Sequence, residues 1–274
     1  MKRILFFETK TFTGATRVTR TIAKKLAGRF ETRFAIINNI EDASNEIKDA
    51  IDRETPDILF SSFVTLNPDV IEIGKVRGLI VIVRNDYGLR YVDLDVKKRI
   101  LDTYSKADWI IAQTSEMRQE MLTYDDLSTC KIKVVDNPID KEDILRKAAM
   151  PNPFNDNGCF HFLWVGREDP IKDLPTLQKA FEIVHKEHPK TDLTLVSNDS
   201  NPYRWMKHAD CLVISSISEA SPNVLREALF LGIRCVSTDC SSTVRRLLSD
   251  DKIAKVSDAN SLANVMMNLM LQSE

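Results

Sequence analysis

The sequence predicts two α/β domains, each a doubly wound parallel sheet, and three observations carry that prediction. Short apolar runs alternate with helix-like segments along almost all of the 274 residues. Those runs are near-continuous in Val, Ile, Leu and Phe rather than alternating with polar residues, as strands covered on both faces require. Between Asn137 and Gly158 the composition shifts to NPIDKEDILRKAAMPNPFNDNG, with three prolines, four asparagines and one glycine, which divides the series in two. The expected layout is a first Rossmann-like domain over residues 1–138 and a linker over 139–158 with one short helix inside it. A second Rossmann-like domain over 159–274 completes it, its last helix free to pack back on the first, and the ligand is expected in the cleft between the two.

Taken in order, Arg3 to Glu8 (RILFFE) is the opening strand. The polar loop TKTFTG leads to a helix from Ala15 to Phe30 with Val18, Ile22 and Leu26 at helical spacing. Strands then follow at 33–38, 57–63, 79–84, 108–113 and 132–135, separated by helices at 42–53, 68–76, 96–106 and 115–122. After the linker, strands at 160–165 and 192–197 alternate with helices at 174–188 and 202–208. The chain closes with a helix at 243–248, a strand at 253–256 and a helix at 260–272.

The stretch Ala209 to Cys240, ADCLVISSISEASPNVLREALFLGIRCVSTDC, reads as strand, loop, helix, strand. Cys211 to Ser215 is the first strand and Arg234 to Thr238 the second. Between them Ser221 is placed to cap a helix, Pro222 to stand at its first position and Gly232 to end it. In such a unit the backbone N–H groups and dipole of the helix's first turn favour an anion at the carboxyl end of the strands. Glu219 falls in the loop beside that position and Glu227 about a turn and a half inside the helix. By spacing alone the pair is one carboxylate for a ligand's reacting end and one for a more distant hydroxyl. A plain loop glutamate and a solvated helix glutamate fit the spacing as well.

Composition narrows the classes. A formal charge of −2 argues against a dedicated nucleic-acid binder. No apolar run approaches the roughly 20 residues that span a bilayer, and MKRILFFETK turns polar too early for a signal peptide, so a cytoplasmic protein is expected. The five cysteines are odd in number and form no C-x-x-C pair, which reads as buried free thiols. Neither they nor the four histidines show metal-ligand spacing, so no metal and no cofactor is implied. One face of the first helix carries Arg17, Arg20, Lys24, Lys25 and Arg29. It reads first as a solvated amphipathic face and second as a peripheral contact with an anionic membrane surface or a charged acceptor.

Two segments of the second half resemble the retaining family 4 glycosyltransferases of GT-B architecture. FLWVGREDPIKDLPTLQKAF is similar to that family's strand, Gly-Arg, Lys and helix segment, with Gly166, Arg167 and Lys172 in register. NPYRWMKHADCLVISSISEASPNVLREALFLGIRCVSTDC is similar to its signature region, including two glutamates separated by seven residues, Glu219 and Glu227. MKRILFFETKTFTGATRVTRTIAKKL, IIAQTSEMRQEML and VVDNPID resemble the first half more loosely. Three departures stand out. The opening loop has the single glycine Gly14, the loop after Val83 reads Arg84-Asn85-Asp86-Tyr87 where many members place a histidine, and the chain is cut short between Val196 and Asn201.

The resemblance implies a retaining, metal-independent transferase moving a hexose-type sugar from a nucleoside-diphosphate sugar, with UDP or GDP as the nucleotide. Charge grows on such a donor's diphosphate as the glycosidic bond breaks, so fixed cations and oriented N–H groups belong there. Arg167 and Lys172 are assigned to the diphosphate, with Ser221, Pro222, Asn223 and Val224 at the helix start and Gly14 from the first domain. Glu227 is assigned to the ribose hydroxyls and Glu219 to the transferred sugar. Asp86 is either a base toward the acceptor hydroxyl or a turn cap, and Arg84 and Ser115 are lesser choices. The acceptor stays open among a polysaccharide, a lipid-linked sugar, a small molecule, a protein and a nucleic acid. Two other functions remain beside this one: a nucleotide-sugar-binding module without turnover, and a sugar-nucleotide epimerase.

Overall fold

In the computed structural model the described residues are 1–11, 13–85, 88–89, 92–154, 158–197 and 199–272. They form two compact units, Met1–Pro138 and Ile139–Glu274.

The first unit is a six-stranded parallel sheet. Its strands are β1 (Arg3–Thr9), β2 (Glu31–Ile37), β3 (Ile58–Ser61), β4 (Ile80–Arg84), β5 (Trp109–Ala112) and β6 (Ile132–Val134), in the order β2-β1-β3-β4-β5-β6. The helices between them are α1 (Gly14–Leu26), α2 (Ala43–Glu54), α3 (Asn67–Val76), α4 (Leu94–Tyr104) and α5 (Ser115–Leu122). The continuous apolar runs have the expected cause, since side chains of both parities are buried. Ile4, Phe6, Ile58 and Phe60 pack with Ala23, Ile22 and Leu26 of α1, while the intervening Leu5, Phe7 and Leu59 are fully buried on the other side. α1 starts one residue before the expected position. Thr13 caps it in a reciprocal pair, accepting from the Thr16 N–H at 3.4 Å while its own N–H donates to Thr16 Oγ1 at 3.2 Å.

The second unit is a five-stranded parallel sheet of β7 (Phe160–Gly166), β8 (Thr191–Ser197), β9 (Cys211–Ile214), β10 (Arg234–Thr238) and β11 (Ile253–Ala254), in the order β11-β10-β9-β7-β8. Its helices are α6 (Lys141–Ala148), α7 (Leu174–Glu187), α8 (Pro202–His208), α9 (Asn223–Phe230), α10 (Ser242–Leu247) and α11 (Ala259–Leu271). Strand alternation divides its core in two. Phe162, Trp164, Cys211 and Val213 face α7 and α11, and Leu163, Leu212 and Ile214 face Tyr203, Leu225, Ala228 and Val244.

The segment 139–158, expected as a linker, contributes to this second core. Ile144 and Ala148 of α6 are buried with Tyr203 and Met206 of α8, an i, i+4 apolar pair inside a composition that otherwise reads as a connector. α11 packs on α7 and β10 within the same unit. All five cysteines are free thiols, with Cys211, Cys235 and Cys240 buried. None of the described helices is long and apolar enough to cross a membrane.

Candidate active site

In the second unit β7 lies between β8, reached through α7, and β9, so the chain direction across the sheet reverses at β7. The carboxyl ends of β7 and β9 thus flank a topological switch point, where open parallel sheets bind ligands. Gly166 ends β7, and Arg167 follows it, exposed and with no ion pair among the described residues. A single turn of tight helix, Pro170–Lys172, then brings Lys172 back toward β9. Asp169 starts that turn, its carboxylate accepting from the Ile171 N–H at 3.0 Å. Asp173 ends it in the left-handed region, at φ 47°, and its carboxylate accepts from the Thr176 N–H at 3.4 Å to cap α7.

Two bonds tie this turn to the end of β9. The Ile217 N–H donates to the Ile171 carbonyl at 2.8 Å, and the Ser215 hydroxyl donates to the Lys172 carbonyl at 2.7 Å. Glu219 is fixed from three sides. Its backbone N–H donates to the Cys240 carbonyl at 2.9 Å. Its Oε1 accepts from the Ser216 hydroxyl at 2.8 Å and also from the Lys172 ammonium. Its Oε2 accepts from none of the described residues. The Glu219 side chain is 16 % exposed and that of Lys172 21 % exposed, so the pair is shielded yet reachable.

α9 starts one residue later than expected. Pro222 precedes its first residue, no side chain caps that end, and Ser221 instead accepts from Arg226 Nε at 3.3 Å. Asn223 and Val224 form the first turn. Gly232 closes the helix at φ +77°, the left-handed conformation that suits glycine, and the Ile233 N–H reaches back to the Ala228 carbonyl at 3.0 Å. Glu227 is not a solvated helix glutamate. It is 3 % exposed, and its Oε1 accepts from the Tyr203 hydroxyl of α8 at 3.1 Å. A buried carboxylate without such donors would be costly, so Tyr203 is part of what holds and orients Glu227.

Sequence reasoning assigned no role to Ser216 or Tyr203. Ser216 was signalled only by a serine pair at the end of an apolar strand, and Tyr203 by its place in the NPY segment. In the shortened connection that follows β8, Asp199 accepts from the Asn201 N–H at 2.7 Å and from Trp205 Nε1 at 2.9 Å. Those two bonds, the first above all, hold its carboxyl below the usual carboxylate range. Burial, followed by the Glu219 charge, pushes the Cys240 thiol up to about 11.

The first unit brings fewer of the expected residues together. Gly14 is exposed at the first position of α1. Asp86 lies outside the described residues. Arg84 is 2 % exposed and donates to the Asn137 side chain. It belongs to a buried network in which the Tyr104 hydroxyl donates to Asn85 Oδ1 at 2.7 Å and Asn137 donates to Gln113 Oε1 at 2.8 Å. Ser115 is exposed at the start of α5. On the basic face of α1, Arg20 is committed to Glu8 at the end of β1, through Nε at 3.1 and 3.2 Å and Nη2 at 2.9 Å. No group of three or more His, Cys, Asp or Glu that could hold a metal ion occurs among the described residues.

Residues 160–272 match the model of the family Glycosyl transferases group 1. The chain is 27 % identical over 176 residues to an uncharacterized glycosyltransferase of Methanocaldococcus jannaschii, covering 53 % of this chain and 43 % of that protein. It is 28 % identical over 189 residues to the N-acetylgalactosamine-N,N'-diacetylbacillosaminyl-diphospho-undecaprenol 4-alpha-N-acetylgalactosaminyltransferase of Campylobacter jejuni, covering 58 % of this chain and 50 % of that one. It thus spans about half the length of the curated relatives it matches.

Among solved structures, HepE of Anabaena in complex with UDP and glucose superposes with a TM-score of 0.74 at 11 % identity, covering 100 % of this chain and 91 % of that one. The sucrose-phosphate synthase of Thermosynechococcus elongatus superposes with a TM-score of 0.78 at 12 % identity, covering 99 % and 90 %. The fold is therefore the GT-B fold, and within the second unit residues 160–272 are similar to the glycosyl transferases group 1 family.

Proposed function

We propose that the chain is a retaining, metal-independent glycosyltransferase that uses a nucleoside-diphosphate sugar, with UDP or GDP as the nucleotide. The observation that carries this is the shielded Lys172–Glu219 pair at the β7–β9 switch point, with Arg167 following β7 and the start of α9 following β9. As the bond between the anomeric carbon and the diphosphate breaks, its electron pair goes to the diphosphate oxygen. Arg167, Lys172 and the first turn of α9 stabilise that charge where it grows. Glu219 bonds the transferred sugar and supports the positive charge developing there, and Glu227 bonds the ribose hydroxyls, as the family resemblance implies. UDP in HepE supports a nucleotide donor.

The test is incubation with UDP-glucose, UDP-N-acetylgalactosamine and GDP-mannose, in buffer with and without EDTA, and measurement of free nucleoside diphosphate. Hydrolysis or transfer that survives EDTA and is lost in Glu219→Ala is the expected result. No binding of any donor, or a Glu219→Ala protein that matches the parent, would sink the proposal.

The acceptor class to try first is a polyprenyl-diphosphate-linked saccharide, because the Campylobacter relative is named for one. A peripheral membrane contact through α1 would rest on Lys25 and on Arg29 just beyond the helix, which are exposed. Arg20 contributes less to it, being held by Glu8. A second reading, a module that binds the donor without turnover, is favoured by the short connection, 198–201, between β8 and α8. Calorimetric donor binding with no product from any acceptor would select it.

A further inference from the structure

We propose that Glu219 makes this site discriminate between a sugar-bearing diphosphate and a bare one, a role that rests on the donor-binding reading above. The argument starts from how its two oxygens are used. Oε1 accepts from both the Ser216 hydroxyl and the Lys172 ammonium, and Oε2 accepts from none of the described residues. Lys172 is therefore already neutralised before any ligand arrives, whereas Arg167 has no ion pair among the described residues. Of the two cations set for a diphosphate, one is free and one is spoken for.

A nucleoside diphosphate entering this site has to share Lys172 with Glu219, and it brings its own charge close to that carboxylate. The pair is only 16 % and 21 % exposed, so water screens the repulsion poorly. A bare diphosphate, which has one more ionisable oxygen than its sugar ester, meets the full cost. A sugar-bearing diphosphate carries less charge, and a sugar hydroxyl can donate to Oε2, the acceptor that the protein leaves unused. Ser216, buried at the end of β9, keeps Oε1 anchored while Lys172 turns toward phosphate. The consequence is a site that favours substrate over product, which speeds release of the spent nucleotide.

The experiment is calorimetry of the full chain with UDP, GDP, UDP-glucose, UDP-N-acetylgalactosamine and GDP-mannose, comparing the parent with Glu219→Gln, which keeps the shape and removes the charge. The bare nucleotide should bind Glu219→Gln roughly tenfold more tightly than it binds the parent. The sugar-bearing form should gain less or lose affinity, so that the ratio of the two dissociation constants falls. Glu219→Ala serves as the second variant should Glu219→Gln misfold, judged by circular dichroism, and the same direction is expected of it. If the nucleotide sugar binds and turns over but the bare diphosphate gains nothing in either variant, the inference fails and the donor-binding reading stands. If none of the five ligands binds any of the proteins, both fail.

Discussion

Each unit places a shielded glutamate near the carboxyl end of a sheet strand and pairs it with a cation, and the two pairs are put to different use. Glu8, at the end of β1, is 1 % exposed, and Arg20 of α1 bonds both of its oxygens. Among the described residues Glu219 is bonded at one oxygen only, by Lys172 and Ser216 together. The planar guanidinium matches a carboxylate edge and saturates it, whereas the ammonium is a point charge that can turn to another anion. A buried ion pair is thus not in itself a functional signal. What separates the two is the acceptor capacity left over.

The largest effect that would sharpen this contrast is catalytic. Arg167→Ala is expected to lower kcat/KM for the nucleotide sugar by about 10²-fold or more, as loss of a donor to developing charge does elsewhere. Arg167 is exposed, so the thermal midpoint should stay where it is. A changed midpoint with unchanged turnover would break the assignment.

The counterpart in the first unit is a stability effect. Arg20→Ala leaves Glu8 buried without its partner. Because the Arg20 side chain is 54 % exposed, water recovers part of the loss, and about 2 kcal/mol is expected in urea unfolding. Donor affinity should not change. Should Arg20→Ala weaken donor binding instead, the first pair is not structural and the contrast fails.

A smaller effect tests the buried partner of Glu227. Tyr203→Phe removes one hydroxyl donor from a carboxylate that is 3 % exposed, and about 1 kcal/mol of stability with a few-fold rise in donor KM is expected. A KM equal to the parent's would separate Glu227 from the donor.

The smallest effect uses Cys240 as a local reporter. Burial pushes Cys235 up to about 12 and Cys240 up to about 11, against an ordinary thiol value near 9. Between pH about 9 and 12 the unfolded chain therefore holds fewer protons than the folded one. Stability should be fully present below pH 9 and fall as the pH rises through that window. The Glu219 charge is the next cause at Cys240, so Glu219→Gln should make Cys240 alkylate faster at pH 9, and Glu8→Gln should not. Mass spectrometry of the alkylated peptide reads both.

Much of the fold was legible. Runs such as Ile58 to Phe60 and Cys211 to Ile214 are buried on both faces, and that requirement writes itself as continuous apolar sequence. Gly232 marked the end of α9 because its left-handed backbone suits glycine and few other residues. Pro and Asn around α6 make 139–158 read as a linker with one short helix inside it, and no local pattern says that Ile144 and Ala148 of that helix join the second core. The helical period of α1 says which basic residues share a side, for water or for an anionic surface, and nothing about a strand end that reaches them. Arg20 found Glu8 twelve residues back.

The order of elements, the two-unit α/β class and the residue types around the second unit's candidate anion site are all written in the local sequence. Those follow from periodicity and capping, which act over a few neighbouring residues. Only the tertiary structure decided that Lys172 meets Glu219, that Tyr203 meets Glu227, and that Glu219 Oε2 accepts from no described residue. Those contacts depend on β7 lying beside β9 and on α8 packing against α9, separations of 47 and 24 residues that no local pattern encodes.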